Sequence, residues 1–270
     1  MRKRERVIER VQFAIEELLF LSKTAKLEEG SSVRGGVPIC WPQFAKRGPL
    51  PLQHGFTRQT RWRLLSQSKD SASLALSPGD VKKDLFRLGE GPERCYEEGW
   101  ELVTIVQVCD NCLDQRLVVH NTGNDDLEFS GALHTYFQVS DLANVQVTGL
   151  KNVSYEDTSK AGRALGEERF RKDESDGVVF QGETDRVYAQ VGESLQLQDG
   201  HRTVHIQKEG FPDVVVWNPD ADKAGGMADL SSWRDFVCVE PAVAAKPVCL
   251  QPGKRWEGRQ TLQSSVDPRL

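Results

Sequence analysis

The sequence predicts an all-β fold, a large sandwich of antiparallel sheets, and three observations carry that expectation. From about Phe56 onward the chain is a succession of short runs rich in β-branched and aromatic residues. Turn-forming pairs punctuate them, notably Asp110-Asn111, Asn121-Thr122-Gly123-Asn124, Asp199-Gly200 and Asn218-Pro219. Helical spacing is confined to a few stretches. Many short strands joined by small turns pack best as sheet on sheet.

In chain order, residues 1–20 carry a conflict. Val7, Ile8, Val11, Ala14, Ile15, Leu18 and Leu19 recur at helical spacing, whereas Leu18-Leu19-Phe20-Leu21 ahead of a polar loop equally suits a buried strand. Periodicity leaves both open. Gly30 to Gly55 is so rich in glycine and proline that it forms neither a continuous helix nor a central strand. Its buried-type residues Val37, Ile39, Trp41 and Phe44 predict a packed, ordered, site-forming loop. Strands are expected at Trp62 to Leu65, Ala72 to Leu76, Trp100 to Cys109, Leu113 to His120, Leu127 to Val139 and Val145 to Leu150. Further runs are Gly177 to Phe180, Val187 to Val191, Ser194 to Leu197, Thr203 to Gln207 and Val214 to Trp217. Short helices are expected only around Ala161 to Glu168 and Met227 to Trp233. With no repeat, low-complexity tract or linker, the 270 residues are expected to form one domain.

Composition narrows the function classes. A net charge of −5 argues against nucleic acid or an anionic membrane as the partner, so an anionic ligand must be met by a few placed cations. No run approaches the roughly 20 apolar residues that span a bilayer, and the basic MRKRERVIERVQ lacks the apolar stretch of a secretory signal. The scattered cysteines (Cys40, Cys95, Cys109, Cys112, Cys238, Cys249) suggest no disulfide framework and a reducing, cytoplasmic compartment. Without secretion, the glycosylation pattern Asn152-Val153-Ser154 carries no meaning.

The chemistry-bearing stretch is Phe129 to Gln138, FSGALHTYFQ. As a strand it sets Ala132, His134 and Tyr136 on one face and Leu133, Thr135 and Phe137 on the other. A lone strand histidine is more often a satisfied core residue than a working group. Phe236-Val237-Cys238-Val239-Glu240 changes the balance, because alternation continues the apolar face of Phe236 and Cys238 with a carboxylate. Such a carboxylate needs a partner, a raised pKa or a job. One histidine and one carboxylate on rigid strands suffice to move two protons.

Other motifs are weaker. Cys109-x-x-Cys112 lacks the second pair that a zinc site needs, and its thiols meet only if the Asp110-Asn111 turn brings them together. His201-x3-His205 would suit a metal only on a helix. Arg34-Gly35-Gly36 lacks the spacing of a phosphate loop, and Arg34 and Arg58 are each ordinary surface residues unless the intervening loop turns them into a phosphate clamp. Gln53, His54 and Asp185 are the remaining polar residues near turns, with Asp185-Arg186 readable as a surface ion pair.

Taken together, RGGVPICWPQF (34–44), LPLQHGFTR (50–58), GALHTYFQVSDLANVQVTGL (131–150), GETDRVY (182–188), VVVWNP (214–219) and FVCVEPA (236–242) resemble the glucose-6-phosphate 1-epimerase family. These D-hexose-6-phosphate mutarotases are related to galactose mutarotase (aldose 1-epimerase), and the resemblance runs from about Glu17 to Gln260. It implies a β-supersandwich, no metal and no organic cofactor. It also implies a small-molecule hexose 6-phosphate as partner, with His134 as catalytic acid and Glu240 as base. By the same resemblance Arg34 and Arg58 hold the phosphate, and Gln53, Asp185 and His54 contact the sugar. A monomer is expected. The resemblance favours strand for Leu18 to Leu21. Three departures stand out: Thr57 occupies a position where alanine is usual, the loop before Leu50 is short, and MRKRERVIERVQFAI stands where family members carry further strands. That last replacement is expected to expose a sheet edge.

Overall fold

The computed structural model describes residues 12–13, 16–86, 96–200 and 202–266. Two eight-stranded sheets face each other, and every pairing within them is antiparallel. One sheet runs, edge to edge, Val145–Thr148, Ser194–Asp199, Arg202–Glu209, Arg255–Val266, Cys112–Asn121, Trp100–Cys109, Ser71–Leu76 and Arg63–Gln67. The other runs Phe170–Lys172, Ser154–Asp157, Thr184–Tyr188, Asp213–Asn218, Phe236–Leu250, Leu127–Leu133 and Ile39–Cys40. Tyr136–Gln138 also pairs with Phe236–Leu250 in this second sheet. The fold is the expected all-β architecture.

The central strands of the second sheet are largely apolar on both faces, and this places the site. Val214, Val216, Val237, Val239, Leu133 and Phe137 point into the core between the sheets, against residues such as Leu102, Leu117 and Val119. Their alternates Val215, Trp217, Phe236, Cys238, Ala132 and Tyr136 form a second buried cluster on the opposite face, closed over by Phe20 and Phe44. A strand buried on both sides reads as continuous apolar sequence, as in VVVW. Each large side chain so buried contributes roughly 1.5–3 kcal/mol. His134 and Glu240 share the second face.

The glycine- and proline-rich loop supplies Phe44 to the lid of that face and is packed as expected, with Val37, Ile39 and Trp41 buried in the core between the sheets. Gly35, at φ +136°, lies against the Phe20 carbonyl where a Cβ would collide with backbone, so the residue after Arg34 must be glycine. Thr57, where alanine was expected, donates its hydroxyl to the Ile39 and Trp41 carbonyls inside the same loop.

One open expectation is resolved as strand, as the resemblance favoured, and several others are corrected. Leu18 to Leu21 is extended: Leu19 bridges Phe137, Leu21 bridges Gly35, and Gln138 N–H donates to the Leu18 carbonyl. Tertiary pairing thus overrides the helical spacing of that segment, while Val7, Ile8, Val11, Ala14, Ile15, Cys95 and His201 lie outside the described residues. Leu127 to Val139 is broken at His134-Thr135 into two strands. Gly177 to Phe180 forms only a single bridge, at Val178. The second helix is Asp220–Ala224, started by the Asn218-Pro219 turn, rather than Met227 to Trp233. Asp185 and Arg186 do not pair. On neighbouring strand positions they point to opposite faces, Asp185 toward Lys223 and Arg186 toward Asp173. The strands Ser154–Asp157, Phe170–Lys172 and Arg255–Val266 were not anticipated. In the last, the buried face carries Gly258 and Gln260, which mask the apolar alternation. Cys109 and Cys112 are joined across the Asp110-Asn111 turn, with Cα atoms 5.0 Å apart. No described helix is long and apolar enough to cross a membrane.

Candidate active site

His134 sits where the strand is interrupted, and the lid loop holds its backbone. Its N–H donates to the Pro38 carbonyl at 2.9 Å, and that of Tyr136 donates to the Gly36 carbonyl at 3.0 Å. The imidazole stacks on the Tyr136 ring at 4.7 Å and 7° and meets the Trp217 edge at 5.8 Å. Ring packing on two sides leaves the side chain little rotational freedom. On the other face, Thr135 Oγ1 donates to Gln260 Oε1 at 2.9 Å, and Gln260 donates on to Gln115 Oε1 at 3.1 Å.

Register delivers Glu240. Antiparallel partners share a face, so Asp185, Trp217, Cys238 and Tyr136 form one row across four strands. Glu240, two residues beyond Cys238, lies one row further along the same face. His134 Nδ1 comes within 3.3 Å of Glu240 Oε1. Nδ1 and Glu240 Oε2 are both buried without a hydrogen-bond partner. Burial, then Asp185, push the Glu240 carboxyl well above the usual carboxylate range, with Arg58 opposing. Burial, then His54, Arg58 and Arg34, push the His134 imidazole well below the ordinary histidine value. Such perturbation of two groups in contact is a signature of working residues.

The remaining predicted residues border this pair unequally. His54 is buried, with φ +67°, and its ring stands 5.5 Å from that of His134. Its Nδ1 accepts from Ala45 N–H at 3.2 Å, and burial holds the imidazole neutral by lowering its pKa. Gln53 is exposed and touches His54 Nε2 through its amide at 3.3 Å. Arg58 Nη2 donates to the Gln53 carbonyl at 3.0 Å, and its Nε is buried without a partner. Arg34 is committed twice: it forks onto Asp229 at 3.2 and 3.3 Å and donates to Tyr136 Oη at 3.2 Å. Asp185 accepts from Thr158 Oγ1 at 2.7 Å and lies 3.4 Å from Lys223 Nζ, which also holds Glu183 at 2.6 Å.

Sequence reasoning missed Asp229 and Lys223. Both follow Asn218, Asp229 inside the Met227 to Trp233 stretch expected to be helical, and neither belonged to a motif that gave it a part. Tyr136 and Cys238 were visible as members of the right faces, but no motif gave them a part. Among the described residues, His134, Cys238 and Glu240 form a group with metal-ligand spacing, their donor atoms all within 4.8 Å of one another.

A family model described as aldose 1-epimerase matches residues 12–263. The chain belongs to the aldose 1-epimerase family. All seven predicted site residues of this family member lie inside the matched span. A protein of Cenchrus ciliaris, provisionally named glucose-6-phosphate 1-epimerase, is 37% identical over 92% of this chain and 75% of its own length. An Escherichia coli (strain K12) protein of the same provisional name is 30% identical over 86% of this chain and 74% of its own. The chain thus spans about three quarters of these relatives. The crystal structure of a provisionally named mutarotase from Salmonella typhimurium superposes with a TM-score of 0.77 at 27% identity. That superposition covers 93% of this chain and 81% of the other.

Proposed function

We propose that this family member interconverts the α and β anomers of a hexose 6-phosphate, glucose 6-phosphate foremost. The observation that carries the reading is the buried 3.3 Å approach of His134 Nδ1 to Glu240 Oε1, with Arg34 and Arg58 nearby. The names of the relatives support the substrate class.

Opening a pyranose ring takes a proton from the C1 hydroxyl and gives one to the ring oxygen. Both oxygens are bonded to C1, so the acid and the base must stand close together. Glu240 acts as the base at the C1 hydroxyl, and His134 as the acid at the ring oxygen. The aldehyde rotates about C1–C2, presents its other face, and closure reverses both transfers. In contact, the two groups behave as a unit holding one proton. Burial alone favours the uncharged arrangement, imidazole beside carboxylic acid. A bound sugar favours the charged one, because its C1 hydroxyl donates to the carboxylate and its ring oxygen accepts from the imidazolium. Each group contributes about 10²- to 10⁴-fold. Arg58 and Arg34 meet the phosphate, and Asp185, His54 and Gln53 meet the sugar hydroxyls. On this reading the chain works as a cytoplasmic monomer.

The test is saturation-transfer NMR on glucose 6-phosphate. Wild type accelerates exchange between the anomeric resonances, and His134→Ala returns it to the spontaneous rate; wild-type exchange in His134→Ala refutes the assignment. A second reading, mutarotation of free aldoses, is favoured by the pairing of Arg34 with Asp229, which neutralises half of the phosphate clamp. Faster exchange of glucose than of glucose 6-phosphate would select it. Binding of the sugar phosphate without any acceleration would instead mark a non-catalytic carbohydrate-binding protein on the same sandwich.

A further inference from the structure

We propose that Cys238, His134 and Glu240 together form a binding site for a borderline-soft divalent cation of the zinc class, and that its occupancy excludes the sugar. The proton transfers above give the Cys238 thiol nothing to do, although it is fully buried in the row between Trp217 and Tyr136. Yet its sulfur, an imidazole nitrogen and a carboxylate oxygen all lie within 4.8 Å of one another. Tetrahedral ligands at zinc bond lengths of about 2.0–2.3 Å stand roughly 3.5 Å apart; His134 Nδ1 and Glu240 Oε1 are already 3.3 Å apart, and the three donors draw together around the ion. Thiolate, imidazole and carboxylate are the donor types that zinc and cobalt(II) share, whereas magnesium and calcium take oxygen.

A second observation points to a ligand. Glu240 Oε2 is fully buried without a hydrogen-bond partner, as is His134 Nδ1 apart from its 3.3 Å approach to Glu240 Oε1, and both residues belong to the set. Other charged or ionisable groups border the site. Asp185 favours a cation, while Arg34 and Arg58 oppose it; His54, Tyr136 and Cys40 complete the surround. The balance sets a site that binds more weakly than a closed structural zinc centre and releases its ion to chelators. Binding displaces the protons of the thiol and the carboxyl to solvent and leaves a fourth position open. Ion binding rests on this geometry alone; inhibition rests also on the proposed anomerase reading.

Cobalt(II) titration of the purified chain tests it. A thiolate-to-cobalt charge-transfer band in the near ultraviolet is expected in wild type and in Cys249→Ser, and is expected to vanish in Cys238→Ala. Cys238→Ser, which keeps the volume, serves if the alanine variant melts early, and should also lose the band. A second arm follows anomer exchange in zinc. Wild type is inhibited, EDTA reverses the inhibition, and Cys238→Ala needs about tenfold more zinc while retaining exchange without metal. Absence of the band in wild type, or its persistence in both Cys238 variants, overturns the site. A band accompanied by no catalysis in any buffer leaves the site standing and refutes the anomerase reading instead.

Discussion

Thr135 Oγ1 donates to Gln260 Oε1 at 2.9 Å across the space between the two sheets, directly behind the backbone that carries His134. That bond ties the interruption in the site strand to the opposite sheet, and Gln260 passes it on to Gln115. All three side chains are fully buried, so Gln260 and Gln115 depend on this relay for their hydrogen bonds, while Thr135 Oγ1 also reaches the Leu133 carbonyl at 3.2 Å.

Gln260→Leu should therefore cost stability and position together. Leaving the Gln115 side-chain carbonyl unpaired, while Thr135 Oγ1 falls back on the Leu133 carbonyl, is expected to destabilise the fold by about 1–3 kcal/mol. Urea denaturation measures the loss. Anomer exchange should fall more than substrate binding, because His134 loses its anchor while the arginines keep theirs. An unchanged denaturation midpoint would show that the relay carries no stability.

Glu240→Gln should trade activity for stability. The carboxyl is held well above the usual range by burial first and Asp185 second, so the fold bears a penalty for its ionisation at neutral pH. An amide removes that penalty, and the melting midpoint at pH 7–8 is expected to rise or hold. Exchange should drop by about 10²- to 10⁴-fold, and adding His134→Gln should cost far less than a second such factor. A variant that melts earlier than wild type contradicts the burial argument.

Arg58→Ala should raise KM for glucose 6-phosphate by about ten- to a hundredfold with little change in kcat, since a charge-assisted bond to phosphate is worth roughly 1.5–3 kcal/mol. Arg34 starts from a compromised position, forked onto Asp229. Asp229→Asn should free it and lower KM, whereas Arg34→Ala should erode the preference for phosphorylated over free glucose. Initial-rate comparison of the two sugars decides both. If Arg34→Ala leaves the preference intact, the clamp is assigned to the wrong residue.

Acid stability should depend on Asp173. Burial pushes its carboxyl up, but hydrogen bonds from Ser175 and Tyr188 and the nearby Arg186 more than offset this, so its pKa in the fold is depressed. A depressed carboxylate contributes stability above its unfolded pKa, about 4, and loses it as pH falls through the lower folded value. Denaturation midpoints for Asp173→Asn should be lower than wild type at neutral pH and converge with it below about pH 4. Parallel pH curves would remove Asp173 from the acid transition.

The sheets were readable because alternation and turn chemistry are local. Trp100–Cys109 occupies the bounds its sequence suggests, and Tyr136, Cys238 and Glu240 stand on the faces that a period of two requires. Arg255–Val266 escaped because Gly258 and Gln260 take inward positions that apolar residues usually fill. Periodicity left the Leu18 to Leu21 segment open because helical spacing and strand pairing compete; the resemblance favoured strand, and the pairing of Leu19 with Phe137 bears that out.

By itself the sequence determined the kinds of groups available: a histidine and a carboxylate on apolar strand faces, two arginines around a glycine- and proline-rich loop, and a fold of antiparallel sheets. Only the tertiary structure decided that His134 and Glu240 touch, that Arg34 is shared with Asp229, that Asp185 turns to Lys223, and that Cys238 joins the pair. Side-chain direction follows from neighbours along the chain, whereas contact follows from strand order and register, which depend on residues far away in sequence.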